Sequence, residues 1–139
     1  EQGGVTVLTP HNGEAARLGA PFGLNLDNMS QEEVAYSLAL AYCAVVVLKG
    51  PDTVIASAER SCRVTNGTAA LAKAGTGDVL AGVIGGLLAQ GMDAFDAAHL
   101  GVYAHAEAGI IATERKGIVS VCAEHVLDAI PEAFMRISN

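Results

Sequence analysis

The 139-residue sequence predicts an α/β fold, and two segments carry that prediction. Residues 5–8 (VTVL) form a short β-type run, which a polar turn at residues 9–13 and a short helix at residues 14–18 follow. Strand, turn and helix in this order form an α/β unit, whose functional groups lie at the carboxyl end of the strand. Residues 45–48 (VVVL) are wholly apolar, which predicts a strand covered on both faces, as in a parallel sheet.

Local signals predict the remaining elements in chain order. A capping box at Ser30 and Glu33 begins a helix that reaches about Cys43. Residues 53–56 and 62–65 read as two further strands, which can pair through the segment between them. Three apolar or alanine-rich helices complete the prediction, over residues 79–90, 92–115 and from about 123 onward.

Glycine and proline residues mark the ends and the irregular positions of these last helices. Gly91 stands where a left-handed C-cap would end the first of them, and Pro131 interrupts the last. Gly82, Gly85 and Gly86 lower helix propensity, so we expect the helix backbone to approach a sheet or a ligand closely there.

Composition excludes several classes of partner. The chain has 8 basic and 15 acidic residues, a net charge of −7, and no basic run, so we expect no nucleic acid and no membrane as partner. Cys43, Cys62 and Cys122 are widely spaced, which predicts reduced, mostly buried thiols and a cytoplasmic protein. Helices this rich in Gly and Ala favour packing against another subunit, so a homo-oligomer is expected.

The stretch 72–91 (AKAGTGDVLAGVIGGLLAQG) organises the chain. Its glycines leave N–H groups uncovered at the start of a helix, where the positive end of the helix dipole favours an anion. Asp78 lies in the same turn, and a base beside an anion hole suits phosphoryl transfer to a hydroxyl. An ordinary Gly-rich turn that begins a helix is the alternative. The segment matches neither GxxxxGK[ST] nor GxGxxG.

Three further residues have a functional and a structural interpretation, and two histidines are weighed as metal ligands. His11 and Glu14 stand in a strand-to-helix turn, but a solvated histidine and a first-turn carboxylate explain them equally well. Lys49 follows a buried strand, where a phosphate contact and a solvated lysine are about equally plausible. His105 lies six residues after His99, a poor helical spacing for two ligands of one metal.

Three segments taken together are far more specific. They are TPHNGE at residues 9–14, KGPDT at residues 49–53 and NG at residues 66–67 through AKAGTGDVLAG at residues 72–82. In this order they resemble the ribokinase-like superfamily, and most closely the ADP-dependent NAD(P)H-hydrate dehydratases, the bacterial nicotinamide-nucleotide repair enzymes. The tail, with residues 119–127 and Ile130-Pro131, also resembles that family. The resemblance covers residues 1–139 but only the C-terminal half of the family's single domain.

The resemblance implies a three-layer α/β/α sandwich with a mostly parallel sheet. It implies a lyase that restores hydrated NADH or NADPH at the expense of ADP, with release of AMP and phosphate. Carried over by position, His11 would contact the hydrated nucleotide, and Asp78 would bind the substrate hydroxyl and act as base. Mg²⁺ would screen the phosphates, with Glu14 as an outer-shell contributor through water. The residues that would hold the adenine nucleotide are Lys49, Gly50, Pro51, Asp52, Thr53 and the loop 68–77, with Ala74, Gly75, Thr76 and Gly77 at its end.

Two alternatives stay open. The hydroxymethylpyrimidine and hydroxyethylthiazole kinases resemble the same half of the fold, although His11 and the AGTGDVLAG string favour the dehydratase. A non-enzymatic subdomain that binds nucleotide without turnover is the other.

Overall fold

The computed structural model describes residues 4–65 and 67–138, and it has a mixed four-stranded sheet between helical layers. The strands are β1 (Val7–Leu8), β2 (Val45–Leu48), β3 (Thr53–Ala56) and β4 (Ser61–Val64), in the spatial order β1-β2-β3-β4. β1 pairs with β2 in parallel, whereas β2 with β3 and β3 with β4 pair antiparallel. The strand order therefore places β1 and β4 at the two edges of this sheet.

The sheet differs from the mostly parallel one that was predicted, and loop length explains the difference. Only residues 49–52 join β2 to β3, and only residues 57–60 join β3 to β4. A parallel pair needs a crossover of a dozen or more residues, so these short connections permit hairpins alone. The crossover from β1 to β2 has that length, and it contains the helices α1 (Asn12–Gly19) and α2 (Gln31–Tyr42).

The three-layer arrangement is confirmed, because the buried strand β2 presents alternate residues to two different cores. Val46 and Leu48 pack with α1 and α2 on one face. Val45 and Val47 pack on the other face with α3 (Thr76–Ala89) and α4 (Ala94–Lys116). A third cluster joins α4 to α5 (Ala123–Ser138), which lies outside α4. The predicted burial of residues 45–48 on both faces is thus correct.

Helix ends follow the predicted signals at several places. Ser30 Oγ accepts a hydrogen bond from Glu33 N at 3.1 Å at the start of α2. Gly91, the second residue after α3, has φ +88°, which is the left-handed conformation expected of it. Pro131, in contrast, does not interrupt the last helix as predicted, because it lies inside α5 and the helix continues through it.

Two local predictions differ from the described chain. A Cβ placed on Gly82, Gly85 or Gly86 would have no heavy atom of the described residues within 4 Å, so no strand of the sheet approaches this face of α3, and the approach of a ligand there stays a prediction. The close approaches are instead made by glycines of α4. The free thiols of Cys43 and Cys122 are exposed and that of Cys62 is half-buried, because the first two stand at helix ends rather than on buried faces.

Candidate active site

A cleft of about 760 Å³ opens where β1 and β2 end, and it gathers most of the predicted site residues. Pro10 O accepts a hydrogen bond from Lys49 N at 2.9 Å, and a parallel bridge joins His11 to Lys49. The carboxyl ends of two parallel strands therefore meet at one edge of the sheet, which is where α/β proteins place their ligands. Of the predicted residues, the cleft wall contains His11, Lys49, Gly50, Pro51, Thr53, Thr76 and Gly77.

The turn after β1 is ordered by a capping box between His11 and Glu14. His11 Nδ1 accepts from Glu14 N at 3.2 Å, and Glu14 Oε1 accepts from His11 N at 3.1 Å. The hydrogen bond from the His11 backbone is the main cause that lowers the pKa of Glu14. His11 reaches the cleft wall, whereas Glu14 does not. Both residues thus have the structural role of capping α1. His11 also lies in the cleft wall, so the same position allows a ligand contact.

Lys49 projects into the cleft without a partner. Among the described residues no hydrogen bond or ion pair engages its ammonium group, whose Nζ lies 3.1 Å from the position of a Cβ on Gly77. Lys49 therefore stands beside the start of α3, where the helix dipole is also positive.

Asp52 is the exception within the predicted nucleotide segment. Its carboxylate accepts from Arg63 Nη1 at 2.9 Å, and Arg63 also binds Glu32 of α2. The hydrogen bond with Arg63 lowers the pKa of Glu32. Asp52 is not part of the cleft wall, because it links the turn to β4 and α2 instead.

The loop before α3 is folded around Thr76. The Thr76 hydroxyl lies 2.6 Å from Leu71 O and 2.9 Å from Lys73 O, so its single proton serves the loop backbone. Thr76 N donates to Lys73 O at 3.3 Å. Gly75 precedes it with φ +88°, and a Cβ there would lie 3.2 Å from Ala123 Cβ. Gly75 thus backs onto α5, and neither Ala74 nor Gly75 is part of the cleft wall.

The first turn of α3 supplies free donors. Within the described chain, Gly77 N and Asp78 N make no hydrogen bond, as expected for the first residues of a helix without a side-chain cap. The Asp78 side chain is exposed and also lacks a hydrogen-bond or ion-pair partner among those residues. It stands next to Gly77 but is not itself part of the cleft wall.

His105 of α4 is a cleft residue that the sequence interpretation missed. It is 5% exposed, and its Nε2 donates to Thr76 O at 2.9 Å. Burial lowers the pKa of His105 to about 4, against the opposing hydrogen bond to Thr76, and the charge of Lys49 adds to the decrease. The signal in the sequence is spacing, because His105 follows Ala98 by seven residues and Val102 by three and therefore lies on the apolar side of α4 with them.

The predicted Mg²⁺ contact depends on the donor groups that the described chain offers. No group of three or more His, Cys, Asp or Glu side chains that could hold a metal ion occurs among residues 4–65 and 67–138. Glu14 contributes one exposed carboxylate, whose pKa the positive charge of Lys49 helps to lower. This donor set fits a water-mediated contact to an ion held mainly by phosphates, and not a protein cage. Separately, the described helices include no stretch with the length and hydropathy needed to cross a bilayer.

Comparisons with known proteins address the family directly. A family model described as NAD(P)H-hydrate dehydratase matches residues 1–132. The ADP-dependent (S)-NAD(P)H-hydrate dehydratase of Neisseria meningitidis is 41% identical over 117 residues, which are 82% of this chain and 38% of that protein. The bifunctional NAD(P)H-hydrate repair enzyme of Moorella thermoacetica is 40% identical over 131 residues, 92% of this chain and 24% of that protein.

A solved structure agrees with these relatives. The ADP/ATP-dependent NAD(P)H-hydrate dehydratase of Bacillus subtilis, co-crystallised with ATP and Mg²⁺, superposes with a TM-score of 0.82 and 30% identity. The match covers 98% of this chain and 49% of that one, so the chain spans about half of it. The predicted ribokinase-like α/β fold is confirmed. On the match over residues 1–132 and these relatives, the chain belongs to the NAD(P)H-hydrate dehydratase family.

Proposed function

We propose that residues 1–139 are the C-terminal part of a single dehydratase domain that repairs hydrated NADH or NADPH. The reaction uses ADP and releases AMP and phosphate, as the name of the Neisseria relative suggests for its nucleotide. Because the chain spans only part of each relative, the activity belongs to the completed domain.

One observation carries the proposal. The ammonium of Lys49 stands beside the uncovered amides at the start of α3 and forms no ion pair with a carboxylate of the described chain. Two positive features placed side by side in a cleft favour an anion between them. Asp78 then supplies an unpaired carboxylate one residue from the donor Gly77. An anion site with an adjacent base fits phosphoryl transfer to a hydroxyl.

The proposed reaction balances in two steps. Asp78 takes the proton of the substrate hydroxyl while the hydroxyl oxygen attacks the terminal phosphorus of ADP. The phosphoanhydride bond breaks, and AMP is released. The lone pair of the ring nitrogen then expels phosphate, and loss of a carbon-bound proton restores the double bond. Phosphate is a far better leaving group than hydroxide at neutral pH, which is the reason for using ADP. The Gly77 and Asp78 amides stabilise charge on the moving phosphoryl group.

Other residues bind rather than react. His11 is proposed to contact the hydrated nucleotide, and Lys49, Gly50, Pro51 and Thr53 to hold the adenine nucleotide, since all of them form the cleft wall. Mg²⁺ would screen the phosphate charges, with Glu14 contributing through water. Thr76 is proposed to hold the loop in place, because its hydroxyl proton is already donated to the loop backbone.

Surface features support two coarser proposals. The exposed face of α3 with Gly82, Gly85 and Gly86 offers a smooth surface for another subunit, in keeping with a homo-oligomer. Three free thiols suit a reducing, cytoplasmic environment.

The test is the return of NADH absorbance when hydrated NADH, Mg²⁺ and ADP are mixed with the chain, alone and joined to the segment that completes its domain. We expect an ADP-dependent rise with the completed domain. A protein that instead forms a stable phosphorylated vitamin precursor from hydroxymethylpyrimidine or hydroxyethylthiazole would replace the dehydratase by the kinase function. ADP binding without either reaction would leave a nucleotide-binding module.

A further inference from the structure

His105 and Thr76 form an unusual contact in the core. They are the two buried polar side chains of the described residues, and His105 Nε2 donates to the Thr76 carbonyl oxygen at 2.9 Å. That carbonyl lies within the first turn of α3, where the amide four residues later is its ordinary helical partner. The helix therefore does not need the histidine to satisfy this oxygen. The imidazole supplies an additional donor from α4.

The same peptide unit contains both the acceptor and the free donor. The Thr76 carbonyl and the Gly77 N–H belong to one planar trans peptide, so fixing one fixes the direction of the other. A donor on the carbonyl also polarises the N–H at the opposite end of the unit. Gly77 belongs to the cleft wall, and its N–H makes no hydrogen bond within the described chain.

The rest of the loop is held by the same helix. A Cβ on Gly109 would lie 2.8 Å from Leu71 Cδ2, so α4 packs closely against the loop, and a side chain at this position would require Leu71 to shift. The Thr76 hydroxyl binds Leu71 O in turn. The helix α4 thus supports the loop at residues 71–76, which leads into the proposed anion site. It packs against Leu71 and donates a hydrogen bond to Thr76.

From this geometry we propose that His105 is a positioning residue, which orients the Thr76–Gly77 peptide so that Gly77 N–H faces a phosphate in the cleft. The inference deepens the proposed function and rests on it for the identity of the phosphate. His105 does not touch the reacting atoms in this arrangement. It acts through one peptide bond.

Two variants separate this role from simple packing. His105→Gln keeps a side-chain N–H donor, whereas His105→Leu fills similar space without one. The first measurement follows the amide ¹H and ¹⁵N shifts of Gly77 in the 139-residue chain, with the rest of the spectrum as a check of folding. We expect the Gly77 signal to move in the leucine variant and to stay near its wild-type position in the glutamine variant.

The second measurement compares ADP with adenosine by calorimetry. Loss of one oriented donor should weaken ADP binding about three- to tenfold in His105→Leu, leave adenosine unchanged, and be largely rescued in His105→Gln. Equal losses for ADP and adenosine, or an unmoved Gly77 signal, would overturn the proposal. If the wild-type completed domain binds neither compound, its proposed nucleotide function fails separately, and the Gly77 signal alone decides whether His105 positions the peptide.

Discussion

Lys49 Nζ lies 3.1 Å from the place that a Cβ would take on Gly77, so the ammonium sits against the backbone of the first turn of α3. A side chain on Gly77 would require the Lys49 ammonium to shift by a few tenths of an ångström. No carboxylate of the described chain pairs with this ammonium. Its position supports the proposal that an anionic ligand binds between Lys49 and the start of α3.

Removing the Lys49 charge should weaken binding of phosphate compounds. We expect Lys49→Met to raise the dissociation constant of ADP about ten- to hundredfold, because a charge-assisted contact is lost. Asp52→Asn is the matched control from the same turn, since Asp52 is directed to Arg63 and not to the cleft. Calorimetric titration of both variants with ADP checks the prediction. A larger loss for Asp52→Asn would place the nucleotide on the other side of the turn.

Asp78 should be needed for turnover and not for nucleotide binding. In the completed domain, Asp78→Asn is expected to reduce the rate of NADH recovery by about 10²- to 10⁴-fold, as for loss of a general base. ADP affinity should persist or rise, because the variant removes a negative charge beside the anion site. Asp128→Asn, at an exposed position of α5, is the control. Full activity of Asp78→Asn would contradict its assignment as base.

The sequence predicted which turns lie next to each other better than it predicted the directions of the strands. The turns after residues 5–8 and 45–48 were expected to bear function, and the parallel bridge from His11 to Lys49 does bring them together. Strand polarity was harder to predict, because an apolar run such as residues 45–48 is equally buried in a parallel or a mixed sheet. The four-residue connection at 49–52 was the decisive signal, since it permits only a hairpin.

Contacts between helices that are distant in the sequence could not be predicted from the local residue pattern. A glycine in a helix signals a close approach only when its missing side chain faces a neighbour, and rotation about the helix axis decides that. Gly82 faces open space within the described chain, whereas Gly101 faces Ile84. The contact between His105 and Thr76 likewise depends on how α4 crosses α3, which neither local sequence contains.

This difference between glycines predicts opposite effects on stability. A Cβ on Gly101 would lie 2.7 Å from Ile84 Cγ1, so Gly101→Ala should lower the free energy of unfolding by about 1–3 kcal/mol through overpacking. Gly85→Ala, which meets no described heavy atom within 4 Å, should raise it by up to about 1 kcal/mol through helix propensity. Urea unfolding of both variants measures this. Similar destabilisation by both would show that the Gly85 face is covered.

The buried His105 should make stability depend on pH between its two pKa values. Its pKa is about 4 in the folded chain, against an ordinary value of 6.5, because burial disfavours the charged ring. Between these values the unfolded chain binds a proton that the folded chain does not. The free energy of unfolding therefore rises with pH across this range, and the contribution of the neutral His105 to stability is lost as the pH falls. The carboxyl groups of Glu14 and Glu32 also have lowered pKa values, so their contribution is lost only below about 4.5.

The comparison of wild type with His105→Gln from pH 6.5 to 4.5 isolates the histidine, because glutamine does not titrate. We expect the wild-type free energy of unfolding to fall by about 2–3 kcal/mol more than that of the variant over this range. Chemical unfolding at a series of pH values gives both curves. Parallel curves would mean that the ring accepts its proton in the folded chain as readily as in the unfolded one, and burial of His105 beside Lys49 would then be relieved by local opening of the cleft.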